Sequence, residues 1–190
     1  MAGRTGGYLT GLIKGIVNVL SGGAAVVDEQ LQHAKRREDA AAQTASPGQH
    51  GRTATIEIEP PAAGGVRITY APERDGDPDA GEVVWTWVPY EENDGRGKDR
   101  PVLVIGRQSA DRVFAVRLTS KAHDGDRDFL PIGSGAWDSQ GRPSWVDIEQ
   151  VYSVHREGMR REASAIDVKR FAVVAQALQR RYGWGWQAGE

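Results

Sequence analysis

An arginine and two hydroxyl side chains stand at the ends of neighbouring apolar stretches of this chain. Arg100 comes directly before the run Pro-Val-Leu-Val-Ile over residues 101–105, and Thr119 and Ser120 end the next such stretch. A guanidinium is a planar cation whose N–H donors match phosphate oxygens, and a hydroxyl can donate and accept hydrogen bonds. These residues predict a site that handles a phosphodiester.

The composition excludes several other kinds of site. The 190 residues include no cysteine, which excludes disulfides, thiolate metal sites and cysteine nucleophiles. None of the histidines has the close spacing that brings two imidazoles onto one metal ion, so we expect neither a metal nor a cofactor. The formal net charge of -2 gives no general signal for nucleic acid, so any such role must depend on a local patch. The four histidines are His33, His50, His123 and His155.

The elements that must position these groups are short strands. Stretches rich in β-branched and aromatic residues predict strands over 82–88, 101–107, 112–120, 129–133 and 145–154. The run 101–107 is apolar without alternation, which is typical of a strand buried on both faces. An apolar stripe at residues 171, 174, 175 and 178 predicts a C-terminal helix that begins near Asp167. The pattern is mainly β with α and predicts a small, partly open barrel closed by that helix.

The composition divides the chain into three regions. Residues 1–50 form an N-terminal extension, with helical apolar spacing over 8–20 and a polar helical stretch after it. The apolar stretch over 8–20 is an amphipathic surface or partner helix, a flexible tail or a membrane-targeting segment. Its apolar run is too short and broken to span a bilayer securely. Residues 51–78 form either a disordered linker or a β-hairpin that pairs 53–59 with 66–70, and residues 79–190 form the folded domain. We expect the extension to be partly disordered.

An ordered set of motifs resembles the MazF/PemK-like toxins of type II toxin–antitoxin systems over about residues 81–184. The motifs are Gly-Glu-Val-Val-Trp (81–85), Arg-Pro-Val-Leu-Val-Ile (100–105), Leu-Thr-Ser-Lys (118–121) and Val-Asp-Ile-Glu-Gln-Val (146–151), followed by the helix. The resemblance implies an SH3-like barrel that forms a homodimer. It also implies a metal-independent endoribonuclease that cuts single-stranded RNA and is inhibited by an antitoxin bound in the RNA groove. We expect a cytoplasmic protein.

The resemblance maps the catalytic arginine and threonine of the family onto Arg100 and Thr119. Cleavage of RNA without a metal uses the neighbouring 2′-hydroxyl as the nucleophile, so the protein must orient the chain and neutralise the charge that grows on phosphorus-bound oxygens. Arg100 suits this stabilising role, and Thr119 would hydrogen-bond the scissile phosphate, with Ser120 as its substitute. Substrate binding would also use Lys121, which follows Ser120, and two cations of the loop before Arg100, Lys98 and Arg96.

Each assignment has a structural alternative. Arg100 would instead pair with Asp99 or Glu92 at the start of a strand, and Thr119 would be an ordinary strand threonine. The protein as a whole would then be a non-catalytic SH3-like binding module whose groove holds a protein segment. The tryptophans favour core and interface positions over base stacking, because they supply large buried area first; they include Trp85, Trp87, Trp137 and Trp145.

Overall fold

The computed structural model describes residues 45–73, 76–90, 92 and 94–187, except for the side chains of residues 162 and 163. The predicted helices of the N-terminal extension lie outside this range. The elements are β1 (Ile56–Ile58), β2 (Arg67–Thr69), β3 (Glu82–Pro89), β4 (Gly97–Arg107), β5 (Arg112–Thr119), β6 (Phe129–Gly133), β7 (Ser144–His155), β8 (Arg160–Ala165), α1 (Val168–Tyr182) and β9 (Gly185–Gln187). No helix within the described residues has the length and apolar character needed to cross a membrane.

Seven of the strands form one antiparallel sheet in the order β1-β7-β5-β4-β3-β8, and β6 also pairs with β7. The remaining strands, β2 and β9, pair in parallel as a separate ribbon. The sheet order has two ends, so the large sheet is not closed by strand pairing within the described residues. The fold class predicted from the sequence, a partly open barrel of the SH3-like kind with a C-terminal helix, is confirmed.

Strand β4 separates two apolar clusters, as its unalternating sequence predicts. Its four residues Val102–Ile105 are completely buried. Leu103 and Ile105 contribute to a large cluster that also contains the buried side of α1, whereas Val102 and Val104 contribute to a smaller cluster. The smaller cluster further contains Val84, Val88, Val113, Ala115, Tyr152, Val154 and Met159.

Helix α1 begins and ends where the sequence indicates. The side chain of Asp167 accepts hydrogen bonds from the backbone N–H groups of Lys169 and Arg170, which satisfies donors of the first turn. At the other end, Gly183 adopts a left-handed conformation with φ 70° and its N–H bonds to the carbonyl of Gln179. The side chains of the predicted stripe, including Phe171, are buried against the sheet.

The hairpin considered for residues 53–70 is not formed. Its first stretch becomes β1 and pairs with β7, and its second becomes β2 and pairs with β9. The physical reason is burial in the larger core, because Val66 and Ile68 are packed in the cluster beneath α1. A hydrogen bond from Trp184 Nε1 to the carbonyl of Pro61 holds the same segment to the C-terminal end of the domain at 2.9 Å.

Residues before β1 also contact the sheet. The N–H of Trp87 in β3 donates to the carbonyl of Pro47, at 3.0 Å. Behind it, the buried hydroxyl of Thr86 donates to the carbonyl of Gly158 at 2.6 Å and lies 2.6 Å from the Thr55 hydroxyl. These bonds join a segment upstream of residue 79 to β3, and Ser46–Glu190 forms one compact unit.

Two further strand boundaries differ from the prediction. Strand β4 begins at Gly97 rather than Pro101, because the polar residues 97–100 pair with Thr86–Pro89 of β3. Strand β8 lies in a stretch for which no strand was predicted and pairs with β3. Both differences arise because strand pairing, rather than apolar character, determines where these strands lie. Residues 97–100, for example, are half-buried or exposed and still belong to β4.

We predict that Ile68→Ala lowers the free energy of unfolding by about 2–5 kcal/mol, because it leaves a cavity in the core. Ile68 has no exposed surface, whereas Thr69 beside it is exposed. Thr69→Ala is therefore the matched control, with an expected change within about 0.5 kcal/mol. Urea denaturation of the full chain measures both. Equal stabilities of the two variants would show that β2 is not part of the core.

Candidate active site

The register of the sheet places Arg100 on one defined face, called here the Arg100 face. Arg100 pairs with Thr86 of β3, and two residues along β4 Val102 pairs with Arg117 of β5. Side chains of paired residues share a face, and alternate residues of a strand return to it. The Arg100 face is therefore the one that carries the smaller apolar cluster, and Arg100 stands where that cluster gives way to polar side chains.

Arg100 is half-buried and has no carboxylate partner among the described residues. None of the ion pairs among the described residues includes it, and its buried Nε has no hydrogen-bond partner there. The carboxylate of Asp99 instead accepts from Arg160 at 2.6 Å, so the alternative Arg100–Asp99 pair is not formed. Burial lowers the pKa of Arg100, and the charge of Arg117 lowers it further. A guanidinium remains a cation despite such shifts, so the site carries a positive charge.

Thr119 lies at the same end of the β4–β5 pair. Val102 of β4 pairs with Arg117 of β5, and the two strands are antiparallel. Arg100 lies two residues before Val102, and Thr119 lies two residues beyond Arg117. Alternation thus puts Arg100 and Thr119 on one face and at one end. The Thr119 hydroxyl is half-buried and accepts a hydrogen bond from the N–H of Lys121 at 3.2 Å. Because that bond uses an acceptor position, the hydroxyl hydrogen remains available to a ligand.

The other predicted substrate-binding residues surround this point at the surface. Lys98 is exposed on the Arg100 face, where it pairs with Val88, and Ser120 and Lys121 are exposed beyond the end of β5. Arg96 precedes β4, and its guanidinium binds Asp94 at 2.6 Å with 68% and 40% of the two side chains exposed. Exposed pairs of this kind contribute about 0–1 kcal/mol, so a phosphate can compete for Arg96.

The structure adds an ion pair that the sequence reasoning missed. Arg117 Nη2 lies 2.5 Å from Asp147 Oδ2, and the side chains are only 14% and 3% exposed. Asp147 reaches this position because the register of β7 against β5 shifts between Val116 and Leu118, which leaves residues 147–150 as a bulge opposite Arg117. Nothing in the sequence signals this bulge, so the pair was not predicted.

Tyr152 completes the inner wall of the site. It is fully buried and its hydroxyl donates to Gln150 Oε1 at 2.9 Å. Burial raises the pKa of Tyr152 well above its ordinary value, with smaller opposing effects from Arg117 and Arg100. Tyr152 is therefore a neutral phenol at physiological pH, able to donate a hydrogen bond but unsuited to accept a proton. Its neighbour across the strand pair is Glu57 of β1.

Comparison with known proteins decides the family. Residues 79–181, more than half of the chain, match the model of the PemK-like, MazF-like toxin of type II toxin-antitoxin systems. The chain belongs to this family. The resemblance found in the sequence motifs is thereby confirmed, and the match covers β3 to the last turn of α1 together with Arg100 and Thr119. No match was found among curated protein sequences.

Three solved structures are similar to parts of this PemK/MazF-family chain. The MazE-MazF structure (Form-II) from Deinococcus radiodurans is 23% identical, with a TM-score of 0.43, and covers 56% of this chain and 96% of its own. MazF (Form-I) from the same organism is 20% identical, with a TM-score of 0.44 and the same coverages. The Mycobacterium tuberculosis toxin MazF-mt6 is 16% identical, with a TM-score of 0.39, and covers 54% of this chain and 99% of its own.

Proposed function

We propose that this chain is a metal-independent endoribonuclease that cleaves single-stranded RNA through attack by the 2′-hydroxyl. The observation that carries the proposal is the position of Arg100, which lies on the same face and at the same strand end as Thr119 and is in no ion pair with the other described residues. Membership of a family of toxins supports the reaction class, since such endoribonuclease activity is typical of that family. The proposed location is the cytoplasm, where RNA substrates of this kind are made.

The reaction needs stabilisation of charge more than it needs a strong base. The 2′-oxygen attacks phosphorus and loses its proton, the bond to the 5′-oxygen breaks, and that oxygen gains a proton. The products are a 2′,3′-cyclic phosphate and a 5′-hydroxyl. Negative charge grows on the non-bridging oxygens as the fifth bond forms, and a guanidinium already in place stabilises it without reorganisation. Arg100 fits this role because its Nε has no acceptor within the part of the chain that the structure describes.

Thr119 serves as an uncharged donor to the same phosphate. The N–H of Lys121 occupies one acceptor position of the Thr119 oxygen, and the hydroxyl hydrogen is still able to donate to a phosphate. A phosphate oxygen held between Thr119 and Arg100 would be fixed in orientation, which favours in-line attack. Lys98 and Lys121, both exposed, would bind flanking phosphates and would make affinity depend on salt.

An antitoxin and a second copy of the chain are the proposed protein partners. The family consists of the toxins of toxin–antitoxin systems, which supports an antitoxin that covers the Arg100 face. The support for a dimer is a partly exposed aromatic surface. Trp137 and Trp184 are buried, whereas Trp85 and Trp87, on the face of β3 opposite to the Arg100 face, are only half-buried. The guanidinium of Arg160 lies 6.0 Å from the Trp85 ring and rims this patch with charge.

We predict that Arg100→Ala and Thr119→Ala each lower the rate of RNA cleavage by about 100-fold or more, as expected for transition-state donors. Arg100→Lys restores only part of the rate, because an ammonium keeps the charge and loses the planar fork. Arg107→Ala, at the other end of β4, is the matched control and keeps the wild-type rate. Cleavage of a single-stranded RNA by the full chain is the measurement, with thermal unfolding to show that each variant folds.

An Arg100→Ala variant that cleaves RNA as fast as wild type would contradict this role. The non-catalytic binding module would then be the better reading of the same face.

We predict that the full chain sediments as a dimer at tens of micromolar protein, because pairing would cover the half-buried tryptophan patch of β3. Trp87→Arg should shift the equilibrium toward monomer, since it puts a charge into that surface. Analytical ultracentrifugation measures both. Wild-type protein that remains monomeric over that range would refute the proposed dimer.

A further inference from the structure

Two arginines lie close together on the Arg100 face. Arg117 is opposite Val102, and Arg100 is two residues before Val102, so the two arginines are diagonal neighbours on adjacent strands. Diagonal neighbours are about 7–8 Å apart, within the reach of two long side chains. After burial, the charge of Arg117 is the next largest cause that lowers the pKa of Arg100, which agrees with this proximity.

One carboxylate compensates only one of these charges. Asp147 Oδ2 binds Arg117 at 2.5 Å, while Oδ1 accepts from the N–H groups of Glu149 at 2.9 Å and Gln150 at 3.4 Å. Both carboxylate oxygens are therefore occupied, and the backbone of the β7 bulge fixes their position. Asp147 is thus the partner of Arg117, whereas Arg100 takes part in none of the ion pairs among the described residues.

Each of the two arginines also has a buried donor without a hydrogen-bond partner among the described residues. In both Arg100 and Arg117 this donor is Nε. A buried N–H without an acceptor is costly, so two of them side by side indicate a ligand that supplies oxygens to both. A phosphate has two non-bridging oxygens and suits the planar donors of guanidinium groups.

We infer that Arg117 is a second phosphate-binding residue, which binds the same phosphodiester as Arg100 and is positioned for this by Asp147. The inference rests on the proposed function for the class of ligand, a single-stranded nucleic acid, but concerns binding rather than cleavage. Asp147 is a positioning residue, because its oxygens are already used within the protein. Arg117 thus has a role in the substrate site as well as in the sheet.

The test compares binding by the full chain and by a charge-matched double variant, Arg117→Gln/Asp147→Asn. The double variant keeps the net charge of wild type and leaves no unpaired buried charge, so general electrostatics and folding are controlled. The probe is a mixed-sequence single-stranded oligonucleotide with 2′-O-methyl groups, which has no nucleophile and cannot be cleaved. Fluorescence anisotropy over a range of salt concentrations gives the affinity and its salt dependence.

The double variant should bind at least about tenfold more weakly than wild type, since it loses a charge-assisted hydrogen bond. The slope of log affinity against log salt should fall by about 0.7, the value for one phosphate contact with a single strand. Arg107→Gln, which removes a cation at the other end of β4, should leave affinity nearly unchanged. A double variant with wild-type affinity and slope would overturn the inference, because the ion pair would then be purely structural.

Two further variants keep the test decisive if the double variant does not fold. Arg117→Lys preserves the ion pair but loses the fork, and it should bind several-fold more weakly with unchanged thermal stability; wild-type affinity would overturn the inference. Asp147→Asn adds net positive charge, so electrostatics alone predicts tighter binding of the probe. A positioning role instead predicts weaker binding of the probe despite the added charge, and binding as tight as that of wild type or tighter would overturn it.

Failure of the inference is distinguishable from failure of the proposed function. Wild-type protein that binds the probe through Arg117 but cleaves no ribonucleotide would support the inference and contradict the ribonuclease. Cleavage of RNA by wild-type protein, together with wild-type affinity of the double variant for the probe, would support the ribonuclease and contradict the inference. Wild-type protein that binds no oligonucleotide at low salt would overturn both.

Discussion

The burial of β4 on both faces is the constraint on which the rest of this domain depends. Val102–Ile105 have no exposed surface, and they divide the interior into a cluster beneath α1 and a cluster on the Arg100 face. A shift of β4 by one residue would exchange its two faces, so its register is strongly fixed. Arg100 and Lys98 continue the same strand beyond the buried part. Their positions are therefore determined by the core rather than by a mobile loop.

The chemistry of the site follows from cations on a partly buried surface. Water screens charges poorly where side chains are buried, so the interactions of Arg100 and Arg117 with each other and with a ligand are stronger than at an exposed site. Asp147 holds Arg117 without neutralising Arg100, and the neutral phenol of Tyr152 fills the wall behind them. Glu57 of β1 pairs with Tyr152, and its charge contributes, together with burial, to the raised pKa of that phenol.

The segment upstream of the family match is part of the same unit. Val66 and Ile68 enter the core, and Thr55 and Pro47 contact β3 through hydrogen bonds. Sequence reasoning treated this segment as a linker or hairpin because its turn is long and rich in proline and glycine. Its partners are β7 and β9, both far away along the chain. Such distant pairings leave no local pattern, whereas the central strands and α1 were predictable from apolar runs, β-branched residues and the Asp167 cap.

The position of Arg100 and Thr119 at strand ends was predictable from the sequence, because both stand next to apolar runs. That they share one face follows only from the register of the sheet. Arg117 and Asp147 could not be paired from the sequence, because their contact depends on a bulge that shifts β7 against β5. Likewise, the sequence identified Arg96 as a cation of the loop before β4, but it did not indicate the ion pair of Arg96 with Asp94.

The chemical identity of the cleaved ends tests the central claim most directly. Wild-type protein incubated with a single-stranded RNA in excess EDTA should produce fragments with a 2′,3′-cyclic phosphate and a 5′-hydroxyl, as detected by mass spectrometry. This result is expected because the proposed roles of Arg100 and Thr119, which are to stabilise attack by the 2′-hydroxyl, require no metal ion. Fragments with a 5′-phosphate and a free 3′-hydroxyl, or cleavage that EDTA abolishes, would contradict the account.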